Sequence, residues 1–79
     1  MTELVNLLKC IAMTMVDYPE QVEISKIDGS QISILSLKVA KSDLGTVIGK
    51  QGKNVKAIRT IMQAASGKAR KRVTLDILE

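Results

Sequence analysis

The sequence predicts a single α+β domain spanning residues 1–79, with a three-stranded mixed sheet and helices on one of its faces. Three observations support this fold class. Apolar residues recur at helical spacing in two segments, and they alternate with polar residues in three others. The pair Asp28-Gly29, which is typical of hairpin turns, separates two of the alternating segments. A chain of this length forms one domain, and the predicted element order is α-β-β-α-α-β.

The first helix is predicted over residues 3–15. Its apolar side chains form one stripe, made of Leu4, Leu7, Leu8, Ile11, Ala12 and Met15. Pro19 follows, and the residue before a proline avoids the helical region, so the helix ends ahead of it. Cys10, the only cysteine, has apolar neighbours in this helix. That setting predicts a small buried side chain and not a reactive thiol.

The two strands of the hairpin are predicted over residues 21–28 and 30–39. Ile27 is out of phase with Val22 and Ile24, which suggests a bulge or a poorly aligned strand end. In the second strand the apolar positions change face, from Ile32 and Ile34 to Leu35, Leu37 and Val39. Either a bulge shifts the face, or the strand is central and covered on more than one side. Its length and its β-forming residues favour the central position.

Two helices and a last strand complete the domain. Ser42 is predicted to cap a short helix that ends near Ile48, and Gly67 to end a long helix over residues 53–66. In the long helix the core-facing positions are Val55, Ile58, Met62 and Ala65. The third strand is predicted over residues 72–78. A helical crossover places it parallel to the second strand.

A turn with two glycines joins the two helices. Gly49 and Gly52 enclose Lys50 and Gln51, which predicts a tight, exposed corner with a cation at its tip. The helix that follows directs its unpaired N–H groups and the positive end of its dipole at the same place. Such a corner suits a phosphate group, and a series of them suits a nucleic-acid backbone. The alternative is a plain helix–turn–helix corner, for which one glycine would suffice.

This turn resembles the G-x-x-G loop of KH domains. Ile48, Gly49, Gly52 and Val55 fill the flanking pattern I-G-x-x-G-x-x-[IV]. With the element order, the resemblance extends over the whole chain, to the KhpA (YlqC-like) family of small bacterial single-KH RNA-binding proteins. It implies a type II KH-like domain that binds single-stranded RNA. It also implies a homodimer, a larger KhpB (Jag or EloR) partner, and a role as a post-transcriptional regulator or RNA chaperone linked to cell elongation and division.

The resemblance further implies a site composed of the turn, the start of the long helix and an apolar groove. Phosphates would approach the two glycines, Lys50 would supply charge and Gln51 a hydrogen bond. The predicted set is Leu44, Val47, Ile48, Gly49, Lys50, Gln51, Gly52, Lys53, Asn54, Val55, Lys56 and Arg59. The expected groove walls are the paired helices and the long second strand, including Val39. A place in the core is the alternative for Val47, Ile48 and Val55.

The charge distribution favours an anionic partner. Residues 1–40 carry three lysines against five carboxylates, a balance of −2, whereas residues 41–79 carry nine lysines or arginines against three carboxylates, a balance of +6. The alternative is that these cations only keep the protein in solution. Whether the basic segment at residues 68–72 contacts RNA is left open by the sequence.

Other functional classes find little support. There is no histidine, no pair of cysteines and no cluster of carboxylates, so we expect neither catalysis nor a metal or cofactor. The stretch at residues 45–51 is one residue short of a P-loop and lacks its Ser or Thr. Tyr18 is the only aromatic residue, which argues against base-stacking RRM or OB modules. A lone cysteine with no signal peptide or apolar span predicts a cytoplasmic protein.

An interaction module is the second hypothesis. Ala57, Ile61 and Ala64 form a further apolar face on the long helix, where small residues around one isoleucine permit close approach of a second helix. This face predicts self-association. A core stripe that is simply wide is the alternative.

Overall fold

The computed structural model describes residues 2–68 and 72–78. The predicted order of elements and the α+β class are confirmed. The helices and strands are α1 (Thr2–Met15), β1 (Glu23–Asp28), β2 (Ile32–Lys38), α2 (Leu44–Ile48), α3 (Lys53–Lys68) and β3 (Arg72–Ile77). Single 3-10 turns lie at Pro19–Gln21, Lys41–Asp43 and Lys50–Gly52. The predicted basic loop falls largely on residues 69–71, which lie outside the described residues.

The sheet has the order β1-β2-β3, with β1 antiparallel and β3 parallel to β2. The central position predicted for the second strand is therefore confirmed. Its pairing with β1 is continuous, and each residue of Glu23–Asp28 has one partner among residues 33–38. The bulge suggested at Ile27 is wrong for that reason. Ile27 instead lies opposite Ile34 on the face of the sheet that the helices leave open, and it is 62% exposed.

The helices cover one face of the sheet. The core between them contains Leu4, Leu8, Ala12, Val22, Leu35, Leu37, Val39, Val47, Val55, Ile58, Met62, Val73 and Leu75. Along β2 the buried residues alternate with Ile32 and Ile34, which are exposed on the open face. The change of apolar face thus reflects two environments: Leu35 and Leu37 face the core, whereas Ile32 and Ile34 lie on the open face of the sheet. Within the described chain, β2 is covered on one side only.

Cys10 is exposed, which corrects the prediction of a buried side chain. The buried line of α1 passes through Leu4, Leu8 and Ala12. Cys10 follows Leu8 by two residues, which is about 200° around a helix, so it lies on the opposite face. Apolar neighbours in sequence are therefore not its neighbours in space.

The start of α2 depends on Asp43 and not on Ser42, which is a second correction. Ser42 lies within the preceding 3-10 turn, and no side chain caps α2. Asp43 is buried, and its carboxylate accepts the backbone N–H groups of Asp17 (3.0 Å) and Tyr18 (3.1 Å). This contact ties the segment after α1 to the start of α2, and it thereby fixes the helix that leads into the glycine turn.

The long helix continues past its predicted end. It includes Gly67 and ends at Lys68, so Gly67 is not its cap. Its inward positions Val55, Ile58 and Met62 are buried, as predicted. In β3 the alternation is also confirmed, with Val73 and Leu75 buried and Ile77 packed against the core.

Candidate nucleic-acid interface

The glycine turn reverses the chain within four residues. Gly49 has φ 76° and ψ 170°, Gly52 has φ 74°, and Gln51 between them has φ 58° and ψ 27°. The N–H of Gly49 donates to the carbonyl of Gly45 (2.8 Å), and the N–H of Gly52 donates to that of Gly49 (3.1 Å). The helix α3 begins at the next residue, Lys53. Its first N–H groups therefore lie directly beside the turn.

The two glycines are required to different degrees. A Cβ on Gly49 would lie 2.6 Å from Asn54 Cγ, whereas a Cβ on Gly52 would meet only Val55 Cγ1, at 3.8 Å. The side chain that fills this space is itself structural, because Asn54 Nδ2 donates to the carbonyl of Thr46 in α2 (2.8 Å). Asn54 thus joins the two helices across the turn. The ligand-binding role predicted for Asn54 overlooked this contact.

The cations of the turn are exposed. Lys50, Lys53 and Lys56 all reach solvent, as does Gln51, and no acidic residue lies in the first turn of α3. Among the described residues an ion pair joins Lys26 and Asp28, in the first hairpin and away from the turn (3.4 Å). The positive charge at the start of α3 is consequently available to an anion.

The apolar residues of the predicted site divide into two groups. Val47 has no exposed surface, and Val55 and Val39 are 8% exposed, so these three belong to the core and not to a groove surface. Leu44 and Ile48 are half-buried and pack against that core from the outside. Only these two of the predicted aliphatic residues retain surface for a ligand.

The second strand, predicted as one wall of the groove, has no free edge in the described sheet, because β2 is paired on both sides. A shallow, open cavity of about 70 Å³ lies between α3 and the edge strand β3. It is lined by Arg59, Met62, Gln63, Val73, Thr74 and Leu75. Of these only Arg59 was predicted. The others were missed because their meeting depends on which strand occupies the edge of the sheet.

Two other kinds of site find no support in the described residues. Across residues 2–68 and 72–78, no three Cys, Asp or Glu side chains are grouped closely enough to hold a metal ion. None of the helices in that part of the chain has the length and apolar character needed to cross a membrane.

Residues 5–77 match the family model described as KhpA/KhpB, KH domain. The RNA-binding protein KhpA of Clostridium acetobutylicum is 51% identical over 73 residues, which cover 92% of this chain and 97% of the relative. The RNA-binding protein KhpA of Chlamydia pneumoniae is 42% identical over 91% of this chain and 92% of its own length. The RNA-binding protein KhpA of Borreliella burgdorferi is 37% identical over 95% of this chain and 92% of its own length.

Solved structures of Era share the fold. Era from Aquifex aeolicus bound to GDP·AlF4⁻ superposes with a TM-score of 0.62 at 14% identity, over 94% of this chain and 29% of Era. Era in complex with MgGDPNP and nucleotides 1506–1542 of 16S ribosomal RNA gives a TM-score of 0.64 at 14% identity. This superposition covers 94% of this chain and 28% of Era. The chain thus spans less than a third of Era, and the likeness concerns the fold of that part.

Proposed function

Because this chain belongs to the KhpA/KhpB KH-domain family, we propose that it binds single-stranded RNA through the glycine turn and the groove beside α3. The observation that carries the proposal is the corner at Gly49 and Gly52. Two positive-φ glycines leave the main chain without side chains at the start of a helix, next to exposed lysines. A phosphate can approach this backbone and meet both N–H groups and charge.

The proposed RNA path begins at the turn. Phosphates lie against Gly49 and Gly52, with Lys50 and Gln51 at the tip and Lys53 at the start of α3. Lys56 extends the track along the exposed side of the helix. The bases lie over Leu44 and Ile48 and in the cavity between α3 and β3. Arg59 is six residues beyond Lys53, about 9 Å along the helix, within the span of the roughly four nucleotides that a KH domain holds.

The affinity of this site should depend strongly on salt. For single strands the slope of log K against log salt concentration is about −0.7 for each phosphate neutralised, so three lysines predict a slope of about −2. Lys50→Gln should make the slope shallower by about 0.7. Fluorescence anisotropy with a labelled RNA octamer at several salt concentrations measures both slopes. A slope near zero, or one that Lys50→Gln leaves unchanged, would contradict phosphate binding at the turn.

The cellular part of the proposal follows the family. The protein would act in the cytoplasm as a post-transcriptional regulator or RNA chaperone, with a link to cell elongation and division. Sequencing of RNA cross-linked to the protein in cells, compared between the wild type and the variant with aspartate at both positions 50 and 51, tests this role. The same RNAs recovered from both proteins would contradict it.

Self-association through α3 is a second proposal, and a specific observation favours it. Ala57, Ile61 and Ala64 are exposed, so the interpretation as a wide core stripe is wrong. Ile61 is 46% exposed between two alanines that are one turn away on either side. This stripe would let a second helix approach closely, either from another copy of the chain or from the KH domain of a KhpB-like protein.

Ile61→Asp is expected to give a folded monomer. The side chain is half-exposed in the single chain, so aspartate removes little core packing, but a charge at the centre of a helix–helix contact would be buried without a partner. Sedimentation at micromolar concentration measures the change, with Met13→Asp on α1, where Met13 is 42% exposed, as the matched control. A wild-type protein that is already monomeric, or an Ile61→Asp variant that remains dimeric, would contradict self-association through this surface.

A further inference from the structure

The free edge of β3 runs along the cavity beside α3. The N–H of Leu78 donates to the carbonyl of Leu37 in β2 (2.9 Å). Backbone groups alternate in direction along a strand, so the N–H and C=O groups of Val73, Leu75 and Ile77 point away from β2. Val73 and Leu75 also line the cavity. One wall of the cavity is therefore a strand edge whose backbone groups have no strand partner in the described part of the chain.

Arg59 projects from α3 across this edge. Its Nη2 lies 3.5 Å from the carbonyl oxygen of Leu75, a long hydrogen bond that turns the guanidinium toward the cavity. A guanidinium carries five N–H donors in a planar fork, so most of them remain available to a ligand. No residue that lines the cavity is acidic. Arg59 is thus placed over a groove and is separate from the exposed lysines that we assign to phosphates.

We propose that Arg59 determines base preference, and that it favours cytosine or guanine at the nucleotide in this cavity. The inference rests on the proposed RNA binding. A planar fork pairs best with two adjacent acceptors, which guanine offers at O6 and N7 and cytosine at O2 and N3. Adenine has an amino donor at the corresponding place, and uracil has an N–H between its two carbonyl oxygens. Each therefore lacks such an acceptor pair.

The same contact argues against a protein strand as the occupant. A strand added to the edge of β3 would require the Leu75 carbonyl as an acceptor for its backbone N–H. Arg59 lies against that carbonyl, so strand addition would have to displace the side chain. A base can pair with the guanidinium while Arg59 keeps its contact with the Leu75 carbonyl.

Anisotropy titrations with four RNA octamers test the inference: C8, U8, A8 and an alternating adenine–guanine octamer. We expect the wild type to bind C8 and the alternating octamer about fivefold or more tightly than A8 and U8, the lower range for one bidentate pair. Arg59→Lys keeps the charge but removes the fork, and it should bring this ratio close to one. Lys56→Gln is the control, because loss of a phosphate contact should weaken binding to all four RNAs alike.

The outcomes separate this inference from the proposal on which it rests. If the wild type binds all four octamers equally, or if Arg59→Lys retains the preference, Arg59 does not read the base, although RNA binding at the turn stands. If none of the octamers binds, RNA binding itself fails, and the inference fails with it. Unfolding midpoints of both variants in urea confirm that the fold is unchanged.

Discussion

Replacing Lys50 and Gln51 together by aspartate is expected to weaken RNA binding by about two orders of magnitude and leave the fold intact. Both side chains are exposed at the tip of the turn. Gln51 has φ 58°, a conformation that aspartate tolerates better than most residues. One cation is lost and two anions are added where we place phosphates. At roughly 1 kcal/mol for each of these three charges near the surface, affinity falls by a factor of about a hundred.

The matched control is Lys9→Asp with Asn6→Asp, on the exposed side of α1. This pair changes the net charge by the same amount and leaves the turn untouched, so we expect only a small loss of affinity. Both double variants should keep their free energy of unfolding within about 0.5 kcal/mol of the wild type, as is usual for exposed sites. If the control loses as much RNA affinity as the turn variant, binding reflects overall charge, and the turn is not the site.

The fold could be predicted because its periodic elements are long and their patterns agree with one another. The stripe through Leu4, Leu8 and Ala12 and the stripe through Val55, Ile58 and Met62 each face the core as helical spacing requires. Errors arose where residue type was used in place of position. Cys10 was assigned to the core from its apolar neighbours, but its place on the helix turns it to solvent.

The glycine turn was also predictable, because its geometry is local. Positive φ at Gly49 and Gly52 follows from glycine itself, and the start of α3 follows from the next few residues. The supports of the turn could not be predicted in the same way. The carboxylate of Asp43 binds the backbone at Asp17 and Tyr18, more than twenty residues earlier, and nothing in the local sequence distinguishes it from an ordinary acid near the start of a helix.

The position of the groove could not be predicted from local sequence, because it depends on how the strands are ordered in the sheet. An apolar pattern shows that β2 and β3 are both buried on one face, but it does not show which of them borders a cavity. That depends on the order of strands in the sheet, in which β3 occupies the edge next to α3. The prediction selected the longer strand, whereas the cavity lies beside β3. Arg59 was one member of the predicted set, and its position against Leu75 is the basis of the separate role that we propose for it.

Gly49→Ala should destabilise the protein strongly, and Gly45→Ala should not. With φ 76° and ψ 170°, Gly49 adopts a conformation that is almost restricted to glycine, at a strain of about 1–3 kcal/mol for another residue. The new Cβ would also lie 2.6 Å from Asn54 Cγ. Asn54 would have to move and release the carbonyl of Thr46, a hydrogen bond that contributes about 1 kcal/mol. We therefore expect the free energy of unfolding to fall by about 3 kcal/mol in total.

Gly45, in the helix that leads into the turn, is the control. It lies in α2, and a Cβ added there would have no atom of the surrounding structure within 4 Å. Alanine should therefore stabilise the protein by about 0.5–1 kcal/mol through helix propensity. Urea denaturation measures both variants, and anisotropy should show weaker RNA binding for Gly49→Ala alone. Asn54→Ala separates the two causes, because it removes the bond to Thr46 without straining Gly49. If Gly49→Ala matches the stability of the wild type, the turn lacks the geometry on which phosphate binding depends.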